Sequence, residues 1–197
     1  MRTAGLLTVF LVAALTTGCT SAPAISAHEQ RRTRVDEPLP TTTPITLPPR
    51  PRELRLDKAD PCKLLTAAQR KDLGMDRPPQ AGRNPNMGNA KVCDFRDSTR
   101  ALAVRIGLVT EQGVEVWLDE TAQADATQTQ VAGFPALVVR TAAQTGFCNV
   151  DVDVAAGQFL DVQFGNSGNA HPPSLEQMCS RAQEVAQAAM STLISAK

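Results

Sequence analysis

The sequence predicts an α+β domain: an antiparallel β-sheet packed against N- and C-terminal helices and stapled by two disulfides. Three observations carry this prediction. Alternating apolar stretches come in pairs joined by short turn-forming links, which gives hairpins rather than helical crossovers. Helix-start signals stand at both ends of this strand-rich middle, Asp60-Pro61 on one side and Ser174 on the other. Four cysteines, Cys62, Cys93, Cys148 and Cys179, are spread through the region with no Cys-x-x-Cys spacing, which disfavours a zinc site and favours bridges.

The chain before this domain reads as an address. Arg2 is followed by an apolar run from Ala4 to Leu15 and then by Thr16-Thr17-Gly18-Cys19. The run is too short to span a bilayer and has the form of a secretory h-region. The Gly-Cys junction reads as a lipoprotein processing site, so residues 1–18 are expected to be a lipoprotein signal peptide and Cys19 to carry the lipid. The usual Leu three residues before the cysteine is Thr16 here, with Leu15 one place earlier. The odd number of cysteines, five, agrees with one being set apart from pairing. Residues 19–56 then form the anchor and a Pro/Thr-rich tether without periodic apolar positions, which cannot offset the entropy cost of folding. At ~3.1 Å per residue for an extended Pro-rich chain, such a tether reaches on the order of 100 Å. The expected location is the outer face of the cell membrane, held by the lipid on Cys19.

The domain proper is expected over residues 57–197. Asp60 caps and Pro61 fits the first helical position, and Thr66 with Gln69 forms a capping box for a further short turn that Gly74 stops. Residues 75–91 are rich in Pro, Gly and Asn and read as a long loop. Val92–Arg96 and residues 101–109 alternate, and a turn at Asp97-Ser98-Thr99-Arg100 sets Phe95 against Leu102 and Cys93 against Val104. Val114, Trp117, Leu118 and Ala122 recur at helical spacing, predicting a helix over roughly 112–124. A strand follows over Ala136–Arg140.

The next hairpin is the best defined. Residues 147–154 and 159–164 alternate, and a three-residue loop, Ala155-Ala156-Gly157, is needed to match their faces. Val152 then meets Leu160, Val150 meets Val162, and Cys148 meets Phe164, so Cys148 faces the core. The capping box Ser174/Gln177 opens a helix to about Ser195, with Leu175, Met178, Cys179, Ala182, Val185, Ala186, Ala189 and Leu193 as its apolar stripe. Four cysteines allow three pairings. Two core-facing positions predict Cys148–Cys179, and elimination leaves Cys62–Cys93. Each closes a loop of roughly 30 residues, contributing about 3–4 kcal/mol in the chain-entropy view.

The motifs DPCKLLTAAQRKDLG, Cys93-Asp94-Phe95, VAGFPAL, CNVDVDVAAGQFLDVQF and Cys179-Ser180-Arg181-Ala182, behind a lipobox and a Pro/Thr tether, together form a recognisable series. The chain resembles the domain-of-unknown-function 3558 lipoproteins of actinobacteria over residues 57–197. The resemblance implies an actinobacterial envelope lipoprotein and agrees with the α+β plan and its two bridges. It implies no activity and no functional residues.

Composition narrows the function classes. Lys plus Arg number 20 and Asp plus Glu number 20, and this zero balance lacks the basic surface that nucleic-acid binding demands. On the second hairpin Asp151 faces Asp161, with Asp153 beside them, and like charges opposite one another destabilise a sheet. A nearby Arg or Lys on a solvated face would relieve this, and so would a hard cation such as Ca²⁺. The three aspartates are therefore the candidate metal residues in a chain otherwise expected to carry no metal and no cofactor. His171 stands in a Pro-flanked loop without a Gly-x-Ser-x-Gly nucleophile motif. Trp117 is expected in the core, and residues 75–91, 141–146 and 165–173 are the loops where recognition is expected. The sequence thus points to a non-enzymatic, lipid-anchored binding module for an envelope protein or small ligand. Carriage of a lipid or other apolar ligand is the alternative, and an envelope hydrolase stands third.

Overall fold

The computed structural model describes residues 45–142 and 144–196. The signal peptide expected at 1–18, the lipidation site Cys19 and the tether up to residue 44 lie outside the described residues. Among the described residues no helix is long and apolar enough to cross a membrane.

Seven antiparallel strands form one sheet: β1 (Gln80–Asn84), β2 (Ala90–Asp97), β3 (Leu102–Val109), β4 (Ala124–Val131), β5 (Phe134–Thr141), β6 (Phe147–Ala155) and β7 (Gln158–Asn166). Their order is β1-β2-β3-β7-β6-β5-β4. The β6–β7 hairpin therefore sits in the middle, where both faces are available for cover. The helical content before the sheet is a 3₁₀ turn, Pro61–Lys63, and the short α1 (Ala67–Asp72); the long α2 (Leu175–Ser195) follows it.

One face of the sheet packs on α2. Alternation places Cys93, Phe95, Val104, Ile106, Cys148, Val150, Val152, Leu160, Val162 and Phe164 there, all essentially inaccessible to solvent. Small residues of α2 (Ala182, Ala186, Ala189) are fully buried against β6 and β7, which lets helix and sheet approach closely. Both predicted bridges are present. Cys148–Cys179 ties β6 to α2, and Cys62–Cys93 ties the 3₁₀ turn to β2, each across a separation of 31 residues. Both capping boxes are also formed, Thr66/Gln69 on α1 and Ser174/Gln177 on α2.

The opposite face is buried too, by irregular chain. A second apolar cluster joins Ala90, Val109, Val114, Leu137, Val139 and Phe159, with Leu47, Met87, Trp117 and Leu118 packed on it. The cover comes from the segment before residue 54, a 3₁₀ turn at Pro85–Met87 and another at Val114–Leu118. The helix expected over 112–124 is therefore corrected to this single 3₁₀ turn. Gly113 precedes it without any side-chain cap, and Asp119 after it is already extended. The chain continues into β4, whose Ala, Thr and Gln residues show no large apolar alternation. β1 likewise replaces the middle of the loop expected at 75–91. It is an edge strand whose first four residues are exposed, so no hydrophobic pattern marks it.

The domain begins before the boundary expected at residue 57. Leu54 and Leu56 are buried in the main core, the Leu54 N–H donates to the Val154 carbonyl at 2.7 Å, and the Leu56 N–H donates to Gln158 Oε1 at 2.8 Å. The register of the first hairpin is also corrected: Cys93 pairs with Ile106, Phe95 with Val104 and Asp97 with Leu102. Asp97 stays in the strand because its buried carboxylate accepts the Thr99 and Arg100 N–H groups at 3.0 and 2.8 Å, moving the turn one residue along. The slide changes pairings by two, so every side chain keeps its expected face. In the central hairpin the pairs Cys148/Phe164, Val150/Val162 and Val152/Leu160 are as predicted. The turn there is one residue shorter, Ala156-Gly157 with Gly157 at φ +66°, and a bulge between Asp153 and Ala155 absorbs the difference.

Candidate functional site

The outer face of the central hairpin holds the polar groups. Asp151 and Asp161 are direct cross-strand partners and almost wholly buried, at 0% and 2% exposure. The solvated face expected from sequence is thus overturned at this pair, because irregular chain covering the outer side of the central strands buries both carboxylates. Asp161 accepts a hydrogen bond from Asn149 Nδ2 at 2.6 Å. Gly107 lies beneath it, and a Cβ on that glycine would stand 3.2 Å from Asp161 Oδ2. Neither oxygen of Asp151 meets an N–H or hydroxyl donor. Its neighbours are the Asp161 carboxylate and the Trp117 indole.

That placement sets the electrostatics. Burial, and then the Asp161 charge, push the Asp151 carboxyl well above the ordinary aspartate range. The Trp117 indole pulls slightly the other way, although its buried N–H meets no acceptor at full hydrogen-bonding geometry. Burial raises Asp161 as well, against hydrogen bonds with Asp151 and Asn149 and the charge of Arg105. Both carboxyls are thus raised, and Asp151 is the one driven further toward its protonated form.

The third candidate metal residue is engaged elsewhere. Asp153 receives both of its bonds from Arg50 Nη1, at 2.7 Å each. Burial pushes the Asp153 carboxyl up, and Arg50 offsets part of that shift. Among the described residues no three His, Cys, Asp or Glu side chains are arranged to hold a metal. Arg50, from the segment assigned to the tether by sequence, thus supplies the cation for Asp153, while the Asp151–Asp161 repulsion is left to the pair itself. Arg105 is clamped by Asp94 through bonds of 2.8 and 3.2 Å.

Above this floor lies a groove of about 330 Å³. Arg105, Asn149, Asp161 and Gln163 line its base, and Trp117 and Phe147 form parts of its walls. Gly165 makes room for Phe147, since a Cβ there would stand 2.5 Å from the Phe147 Cβ. Two of the three loop regions expected to carry recognition border it, through Asn84, Asn86 and Met87 and through Thr141 and Gln144. Trp117 is half-buried, packed on the second cluster and facing the groove, rather than inside the main core. His171 is exposed, and its N–H donates to Asn169 Oδ1 at 2.8 Å. Sequence reasoning found Asp151, Asp153 and Asp161 on this face but missed Arg50, Arg105 and Gly107, whose roles depend on non-local pairing.

The fold and groove together define the class: an antiparallel seven-stranded sheet, stapled by two disulfides, with a long helix on one face and a polar groove on the other. Within that class the chain belongs to the DUF3558 family, described as a protein of unknown function, whose model matches residues 14–192. No curated protein and no solved structure matches it.

Proposed function

We propose that the protein is a lipid-anchored, extracytoplasmic binding module that captures a small ligand or partner at the outer face of the cell membrane without transforming it. The observation that carries the binding part is the groove: a preformed hollow with a few polar groups at its base, set on the rigid centre of a sheet. Sites of this size, about 300–1,000 Å³, suit small ligands. The anchoring part rests on the apolar run before Gly18-Cys19. A tethered domain gains effective concentration toward neighbours at the same membrane. The helix face offers less support for an apolar carrier, because its alanines pack directly on the sheet rather than lining a chamber.

The test is cross-linking in the native cell with the full chain and with Cys19→Ser, followed by membrane fractionation and mass analysis of the N-terminal peptide. Lipid on Cys19, membrane retention only of the parent chain, and a bound molecule recovered with it are the expected results. A Cys19→Ser variant that stays in the membrane fraction would overturn the anchor.

A further inference from the structure

We infer that the groove over Asp161 takes a polyhydroxylated, uncharged ligand such as a saccharide. This inference rests on reading the groove as a binding site and specifies its chemistry.

Charge is the first discriminator. Arg105 is committed to Asp94 in a two-bond clamp, so the base offers no free cation to a phosphate or carboxylate. Asp161 is the remaining acid at the base, and it already accepts from Asn149 and feels the Arg105 charge. A strongly charged ligand of either sign therefore finds no uncompensated partner.

Hydrogen-bonding capacity is the second. Asn149 and Gln163 sit side by side across the β6–β7 pair, and the Gln163 amide donates to Asn149 Oδ1 at 3.4 Å. Asn149 uses one N–H on Asp161 and one lone pair on Gln163, so each amide still has a second N–H and lone-pair capacity for a sugar hydroxyl, which likewise donates and accepts. Asp161, buried beneath them, fixes the Asn149 amide by accepting its N–H at 2.6 Å. The walls complete the match. Trp117 and Phe147 offer apolar surface to the C–H face of a sugar ring while the base meets its hydroxyl edge.

The experiment uses the folded chain with its disulfides intact. Backbone amide and Trp117 indole NMR signals are followed during titration with glucose, galactose, N-acetylglucosamine and maltose, and separately with tetramethylammonium and inorganic phosphate. The expected result is saturable shifts of Asn149, Asp161, Gln163 and Trp117 with at least one saccharide. Asn149→Leu and Gln163→Leu should weaken these at least tenfold, while thermal melting shows both variants folded. Saccharide shifts that survive both substitutions would overturn the placement. Shifts at these residues from tetramethylammonium or phosphate alone would overturn the saccharide class and leave the groove standing as a site. No groove shifts from any probe would overturn the inference together with the binding reading beneath it.

Discussion

The two faces of the sheet are built from the same strands by opposite means. On the helix face, residues 148, 150, 152, 160, 162 and 164 are apolar and meet one continuous helix. On the outer face, residues 149, 151, 153, 161 and 163 are polar and meet irregular chain drawn from three distant segments. Apolar burial is non-directional and tolerates no alternative once the alternation is set. Buried polar groups instead demand a specific partner each, and lose free energy when the partner is missing. The first face holds the fold together, and the second is where a ligand can compete for partners.

Adjacent residues on β7 give the sharpest contrast. Leu160→Ala, on the helix face, should cost about 2–5 kcal/mol as a buried large-to-small change. Asp161→Asn, one residue on, keeps shape and removes a buried charge, and should leave stability within about 1 kcal/mol of the parent or above it. Urea unfolding of both variants measures this, and a larger loss in Asp161→Asn would break the comparison. Replacing Cys148 and Cys179 together by Ser should cost about 3–4 kcal/mol, because the unfolded chain regains a 31-residue loop. The same unfolding curves under oxidising conditions show it.

On the outer face the dependence on single partners can be read directly. Arg50→Ala leaves the largely buried Asp153 without its two hydrogen bonds and should cost about 1.5–3 kcal/mol, the range for bonds to charged groups. Calorimetric melting of this variant is the check. Gln158→Ala removes the acceptor of the buried Leu56 N–H and should cost about 1–3 kcal/mol. Faster amide exchange at Leu56 would accompany it, and unchanged exchange would show that the first residues of the domain are held otherwise.

The smallest effect is one of pH. Unfolded, Asp151 loses its proton at the ordinary aspartate value; folded, it holds the proton to well above that value. The folded state therefore carries more protons between the two, and stability falls as pH rises through that window. It is fully present below the ordinary value and lost above the raised one. Asp151→Asn cannot release a proton, so its melting temperature should stay flatter across the same window, and parallel curves for parent and variant would contradict a raised Asp151 carboxyl.

What the sequence revealed follows the same division. The central hairpin, its register, the stripe of α2 and both bridges were legible because period-two and helical alternation of large apolar residues are strong local signals. β1 and β4 were not, because exposed edge strands of Gln, Ala, Thr and Gly carry no such contrast. The segment around Val114–Leu118 has helical spacing of apolar residues but lacks a cap, and the buried outer face recruits it as a 3₁₀ turn. Asp151 facing Asp161 was readable from the hairpin. Their burial was not, since it depends on Leu47, Met87 and Trp117 arriving from elsewhere in the chain.

The most direct test is a carbon-13 NMR titration of the aspartate carboxyls. The Asp151 signal should still report a protonated acid at pH values where exposed aspartates such as Asp57 and Asp76 have already ionised. Ionisation of Asp151 together with those exposed groups would contradict a buried acid held toward its protonated form beneath the groove.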